Sequence, residues 1–270
     1  MPELPEVEVC RLGISPHITN QAIANIDVRQ RQLRWPVPEQ LEDAVGERIR
    51  SVERRSKYLI LKVTSGSILI HLGMSGTIRV IDKNVPVEKH DHVDIVFDNG
   101  KMLRLNDPRR FGAVLWLAND VDEQGILTKL GPEPLTDAFH ADYLFEKSRK
   151  KTVPVKTFIM NNPVVVGVGN IYANEALFLS GIRPTKKAGT LTKKQCVVLT
   201  DNIKVVLAAA IKQGGTTLKD FTQADGRPGY FAQSLNVYGR AGKACVTCGE
   251  TLKEIRQSNR SSVFCPSCQK

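Results

Sequence analysis

Residues 58–72 read YLILKVTSGSILIHL. Two apolar runs of six, Tyr58–Val63 and Ser67–Leu72, flank the turn residues Ser65-Gly66. Short apolar runs rich in β-branched residues and separated at hairpin spacing are paired strands, not helix. Downstream, His92–Phe97 enters Asp98-Asn99-Gly100, a strong hairpin turn, and Met102–Leu105 and Gly112–Leu117 continue the pattern. Upstream, Glu6–Leu12 is predicted as a short helix, because Pro5 fits a first turn and acidic residues suit a helix start. Residues 1–132 are therefore predicted to form a two-layer β-sandwich with flanking helices.

Gly131-Pro132-Glu133-Pro134 punctuates the chain, and beyond it the apolar period becomes helical. Helices are predicted over 142–150, 155–161, 170–180 and 192–213, the last opened by Thr192 as cap and stopped by Gly214-Gly215. Residues 164–175, VVVGVGNIYANE, place a tight Gly-x-Gly turn before a helix, with Asn170 at or near its cap. The turn lacks the third glycine of a dinucleotide fingerprint and the lysine-serine pair of a P-loop. It fits two helices joined by a tight connection, whose exposed N–H groups make an anion site. Close helix packing is the alternative use of the same glycines. From Gly214 to Gly229 the chain is polar and glycine-rich, as a surface loop is. Fold class is accordingly α+β and multidomain, with boundaries at 1–132, 133–235 and 236–270.

Across 270 residues, 38 Lys plus Arg oppose 28 Asp plus Glu, a net charge of +10. With 41% hydrophobic residues the chain can bury a core, so this is no disordered basic tail. Excess positive charge favours a polyanion, since phosphate neutralisation releases counterions; an anionic membrane surface is the competing partner. The opening MPELPEVEVCRLG is acidic where a secretory signal is basic, and the longest apolar stretch, Val197–Ile211, carries Asp201 and Lys204. A cytoplasmic protein with no membrane partner is expected.

Cys245, Cys248, Cys265 and Cys268 form two C-x-x-C pairs separated by sixteen residues. In a reducing compartment that spacing binds metal rather than forming disulfides. Four thiolates complete a tetrahedral zinc shell and leave no position for substrate, so one structural zinc is expected and no organic cofactor. Lys253, Arg256 and Arg260 lie between the cysteine pairs, with Arg240 and Lys243 just before the first, making a basic hairpin with Arg260 near its turn. Cys10 and Cys196 sit among apolar neighbours and read as buried small side chains.

Pro2 follows the initiator Met, and removal of that Met exposes a ring secondary amine. An α-amine titrates near pH 8, far below lysine, so a useful fraction is nucleophilic at neutral pH. Such an amine attacks an aldehyde-like carbon to form an iminium, with Glu3 and Glu6 beside it as proton carriers. Lys57, in the basic run Arg54-Arg55-Ser56-Lys57, is the rival amine and is otherwise a phosphate contact.

The opening PELPEVE, then SKYL, HLGMSG, EKHDH, DPRRFG, LGPEPL, VVGVGNIYANE, QGGTTLKDF, VYGR and the four-cysteine tail, in this order and spacing, resemble the bacterial formamidopyrimidine-DNA glycosylase family. The likeness covers essentially the whole chain. It favours the purine-directed branch over the related endonuclease VIII branch, through PELPEVE, Arg109 and Phe111. The resemblance implies a sandwich, a helix-two-turn-helix domain and a zinc finger. It also implies excision of 8-oxoguanine and ring-opened purines from double-stranded DNA on the bacterial nucleoid, with 8-oxoguanine opposite cytosine preferred; a monomer is expected, because recognising a lesion needs no palindromic partner.

Residue by residue, the likeness assigns attack on C1′ to Pro2 and proton donation to Glu3. Lys57, His71, Asn170 and Arg260 would hold phosphates, and Lys156 would serve in handling 8-oxoguanine. Met74, Arg109 and Phe111 would fill the gap left by the everted base, with Arg109 facing the orphaned partner. Glu6 and the segment from Thr216 to Tyr230 would lie against the extruded nucleotide. One departure stands in the finger: Asn259 precedes Arg260 where glycine is usual in the family. Without this resemblance, a non-catalytic zinc-dependent DNA-binding protein is the main alternative, and a zinc-ribbon RNA-binding protein a third.

Overall fold

The first helix, α1, spans Leu4–Ile18, well beyond the predicted Glu6–Leu12. Its buried face is Leu4, Val7, Cys10, Ile14 and Ile18, spaced by three and four residues as a helix stripe must be. Gly13 and Pro16 conceal this continuation in the sequence; Pro16 falls in the last turn, where the helix loses one donor and then ends. Burial pushes the Cys10 thiol up to about 12, which keeps it unreactive. The computed structural model describes residues 2–118, 125–216 and 234–270.

Eight strands build two antiparallel sheets. One contains β1 (Ile23–Val28), β5 (Thr77–Asp82), β6 (Asp91–Phe97) and β7 (Lys101–Asn106), in the order β1-β6-β7-β5. The other contains β2 (Ser51–Arg55), β3 (Tyr58–Lys62), β4 (Gly66–His71) and β8 (Ala113–Ala118), in the order β2-β3-β4-β8. Leu59, Leu61, Ile68 and Ile70 meet Val93, Ile95, Leu103 and Leu105 in the core, beneath α1. Each such side chain contributes about 1.5–3 kcal/mol by leaving water. Strands β1, β2 and β5 escape the sequence reading because β2 carries a single apolar residue, and polar residues break the apolar runs of β1 and β5. Arg104 is buried on β7, but hydrogen bonds at 2.8 and 2.7 Å to Asp94, with further bonds to the Val85 and Pro86 carbonyls, satisfy its charge.

The second part carries α2 (Ala141–Ser148), α3 (Val155–Ile159), α4 (Asn170–Leu179) and α5 (Lys193–Lys212), then a hairpin of β9 (Lys253–Gln257) and β10 (Arg260–Phe264). Thr192 and Gln195 cap α5 reciprocally, each side chain accepting from the other's backbone N–H at 3.1 Å. At the hairpin turn Ser258 and Asn259 have φ of 49° and 60°. Asparagine tolerates this left-handed backbone, so the departure from glycine leaves the turn intact.

The described residues fall into two compact units: the chain up to Thr128 with 213–216, and Lys129–Lys212 with 234–270. The helical segment and the cysteine hairpin thus share one unit. Glu175 on α4 supplies a reason: its carboxylate accepts from the backbone N–H groups of Asn236, Val237 and Tyr238 at 2.8–2.9 Å. Asn174 Oδ1 also accepts from Val263 N–H at 2.9 Å. Among the described residues, no helix is long and apolar enough to cross a membrane.

Candidate active site

In the first unit, Pro2 and Glu3 lie buried at the start of α1, with Glu3 as its N-cap. Glu3 and Glu6 form a reciprocal capping box; Glu6 Oε2 accepts from Glu3 N–H at 2.9 Å. The other carboxylate oxygen, Glu6 Oε1, accepts from Thr216 N–H at 2.9 Å. One buried side chain therefore ties the Pro2–Glu3 backbone to the residue that opens the glycine-rich segment. Gly215 beside it has φ +82°, and a Cβ there would stand 3.3 Å from Glu6 Oε1. Tyr230 lies outside the described residues.

Lys57 occupies the two-residue turn between β2 and β3, after Ser56 in the left-handed conformation (φ 56°). Arg54 holds this turn to α1: its Nε donates to Glu8 at 2.8 Å and its Nη1 to Ser56 O at 2.9 Å. Burial opposes ionisation of Glu8, but hydrogen bonds from Arg11 and Arg54 outweigh it and hold the carboxyl below its ordinary range.

His71 pairs with Tyr58 across β3 and β4, their rings 4.8 Å apart. Its Nδ1 accepts from Gly73 N–H at 2.9 Å, which assigns the proton of the neutral ring to Nε2. Desolvation, then the charges of Arg34 and Lys57, press the imidazole down to about 4. His71 is thus neutral at pH 7, presents an Nε2–H donor and stands among cations, a setting suited to an anion. The sequence reading missed Arg34; the basic run Arg29, Arg31, Arg34 was the available signal.

Met74 and Phe111 are exposed at 37% and 45%, high values for large apolar side chains. Arg109 lies over the Phe111 ring at 5.1 Å. Gly73 (φ +63°) explains how the two loops approach, since a Cβ there would be 2.4 Å from the Phe111 carbonyl carbon.

The second unit holds the other predicted site residues. Asn170 is the first residue of α4, not its cap; Gly169 is the N-cap and offers no side-chain bond. Asn170 Oδ1 is buried and has no hydrogen-bond partner among the described residues. Lys156 on α3 is buried at 1% exposure and donates at 2.6 Å to both Ser261 O and Ser262 Oγ of β10. Arg260, next to those serines, is exposed. Lys147, Lys151, Lys156 and Arg260 line one cavity of about 530 Å³, over Phe158 and Val164.

Cys245, Cys248, Cys265 and Cys268 bring their sulfurs within 4.8 Å of one another. Zn–S bonds of about 2.3 Å in a tetrahedron set sulfurs about 3.8 Å apart; Cys245–Cys268 at 4.0 Å and Cys248–Cys265 at 3.4 Å bracket that spacing. The donor set and its dimensions fit a structural zinc ion.

Three family models tile the chain. Residues 1–114 match the formamidopyrimidine-DNA glycosylase N-terminal domain, 130–222 the formamidopyrimidine-DNA glycosylase H2TH domain, and 242–270 a zinc finger found in FPG and IleRS. The formamidopyrimidine-DNA glycosylase of Colwellia psychrerythraea is 68% identical over 269 residues, covering 100% of this chain and 99% of that protein. That of Idiomarina loihiensis is 59% identical over 270 residues and covers both chains fully. Among solved structures, a Lactococcus lactis FPG variant in complex with a Fapy-dG containing DNA superposes with a TM-score of 0.93 at 34% identity, covering 100% of each chain. The Lactococcus lactis Fpg complexed with an abasic site containing DNA gives 0.92 at 34% identity and 99% coverage of each. Matched over its whole length in sequence and in fold, the chain belongs to the formamidopyrimidine-DNA glycosylase family.

Proposed function

We propose that the chain removes 8-oxoguanine and formamidopyrimidines from duplex DNA through a covalent bond to Pro2, once Met1 is gone. Family membership makes it a bifunctional DNA glycosylase and AP lyase. The Pro2 nitrogen attacks C1′ of the damaged nucleotide, and the bond from C1′ to the base breaks. Glu3 then protonates O4′ as the sugar ring opens, leaving an iminium on Pro2. That iminium is an electron sink, so C2′ loses a proton and the 3′ phosphate leaves by β-elimination. A δ-elimination expels the 5′ phosphate, and hydrolysis frees the proline, leaving a one-nucleoside gap with phosphate ends.

The observation that carries this reading is the double hold of Glu6 on Glu3 and Thr216. It keeps the acid adjoining the amine in place before substrate arrives, as a positioned catalytic group requires. Lys57, His71 and Arg34 supply phosphate donors from one unit; Asn170 and Arg260 supply them from the other. Lys156 bears on 8-oxoguanine handling through the hairpin it binds. Met74 and Phe111 replace the stacking lost on eversion, while Arg109 donates to the orphaned base, for which cytosine offers acceptors.

One zinc ion per chain, held by the four cysteines, folds the hairpin that presents Arg260; it takes no part in the chemistry, which calls for no organic cofactor. A lesion has no two-fold symmetry, so a monomer suffices, acting on the nucleoid in the cytoplasm. The test is borohydride reduction during reaction with an 8-oxoguanine:cytosine duplex, followed by peptide mapping. An adduct on Pro2, lost in Pro2→Gly while DNA binding persists, is the expected result. A correctly processed, zinc-loaded protein that forms no adduct would overturn the covalent route and leave a DNA-binding protein.

A further inference from the structure

Between β7 and β8 lies a carboxylate that the chemistry above does not use. Asp107 is 0% exposed, yet it reaches both loops that display the exposed trio. Its Oδ1 accepts from Ser75 Oγ at 2.9 Å and from Arg109 N–H at 3.3 Å. Its Oδ2 accepts from Gly112 N–H at 2.7 Å. Ser75 follows Met74, and Gly112 follows Phe111, so the residues bonded to this one side chain include Arg109 itself and the immediate neighbours of Met74 and Phe111. The backbone of Asp107 is anchored as well: its N–H donates to His90 O at 3.0 Å, and its carbonyl lies 2.8 Å from His92 Nε2.

We infer that Asp107 is a positioning residue for base eversion, holding Met74, Arg109 and Phe111 as one preformed wedge. The inference rests on the gap-filling role proposed for that trio. A buried carboxylate is costly unless several donors meet it, and here three donors from two loops do. Its loss frees those loops to move apart, and each insertion into the duplex then pays for ordering them. Arg110 beside it holds a left-handed φ of 55°, so the loop conformation is not one the local sequence would keep unaided.

An already abasic nucleotide has no base to evert, which separates positioning from general damage. Asp107→Asn keeps the shape but turns one acceptor into a donor facing another donor. Single-turnover base excision from an 8-oxoguanine:cytosine duplex is expected to slow at least tenfold. Eversion followed by 2-aminopurine fluorescence next to the lesion should slow in parallel. Strand cleavage at a preformed abasic site should change by less than about threefold. Ser75→Ala, which removes one donor and leaves the carboxylate in place, should show the same division between substrates at a smaller amplitude and covers the case of a poorly folded Asp107 variant.

Phe111→Ala is the reference. If it slows eversion while Asp107→Asn and Ser75→Ala do not, the inference falls and the gap-filling role stands. If Phe111→Ala leaves eversion unchanged, both fall. Equal losses on the base-bearing and abasic substrates would make Asp107 a purely structural residue and overturn the inference too.

Discussion

Lys156 Nζ donates to Ser262 Oγ at 2.6 Å, joining helix α3 to the strand that carries Arg260. The sequence likeness points to this lysine as a lesion-handling group, and two of its ammonium bonds go to the Ser261 carbonyl and the Ser262 hydroxyl. These bonds make the lysine a support of the hairpin, whatever else it contacts. Lys156→Met removes the charge and leaves the buried Ser262 hydroxyl and the half-buried Ser261 carbonyl short of a donor, a cost of about 1–3 kcal/mol. Thermal unfolding should show that loss, and DNA affinity should fall for damaged and undamaged duplexes alike. A variant of unchanged stability that loses 8-oxoguanine excision alone would return Lys156 to direct lesion contact.

Arg260 follows a turn whose two residues both lie in the left-handed region, so the guanidinium is exposed at a fixed corner of the hairpin. A single phosphate contact proposed there would contribute sequence-independent affinity and release one counterion. Arg260→Ala should weaken binding to all duplexes and lower the slope of log K against log salt by about 1. An unchanged slope in titrations from low to moderate salt would remove Arg260 from the backbone contacts.

How much of this was legible beforehand follows from the range of the interactions. Strands β3, β4, β6, β7 and β8 declare themselves because their apolar runs are local. The cysteine spacing is equally local, and the sulfurs do converge. Pro2 and Glu3 carry almost no signal in composition; the chemistry of a terminal ring amine makes them candidates, and likeness to a family gives them their roles. Glu175 and Arg34 carry no local signal because partners distant in sequence give them meaning, whereas Asp107 shares the DPRRFG run with two of its three donors and only Ser75 is remote. Glu175 gathers N–H groups some sixty residues away, and Arg34 matters through its field on His71. No period or motif encodes such pairings.

His71 gives the protein a defined sensitivity to acid. Its imidazole lies near 4 in the folded chain against an ordinary 6.5, lowered by desolvation and then by Arg34 and Lys57. A depressed histidine means the unfolded chain binds the extra proton between these values, so stability is full above about pH 6.5 and is lost as pH falls toward 4. Protonation also breaks the Gly73 N–H bond to Nδ1. His71→Gln should flatten the decline in melting temperature between pH 6.5 and 4. Identical pH profiles for the two proteins would show that the ring titrates as freely as in the unfolded chain.

The cysteine cluster makes the sharpest prediction about order. Residues 242–270 are too few to bury an adequate core of their own, and Cys245 and Cys265 supply part of what core there is, beside Val237, Leu252 and Val263. A metal holding four thiolates supplies what the apolar contacts cannot, about 10–16 kcal/mol in isolated finger peptides. Cys248→Ser removes one thiolate at the exposed end of the cluster, where the side chain contributes nothing to the core. Metal analysis should show zinc lost, amide exchange should rise across β9 and β10, and DNA affinity should fall with them. Helix α5 should stay protected, because its buried face packs on helices rather than on the cysteines, whereas α4 should loosen only at the end where Phe178 joins the cysteine core. Zinc loss without loosening of β9 and β10 would mean that Glu175, Asn174 and Lys156 suffice to hold the hairpin, and the ion would have no structural part.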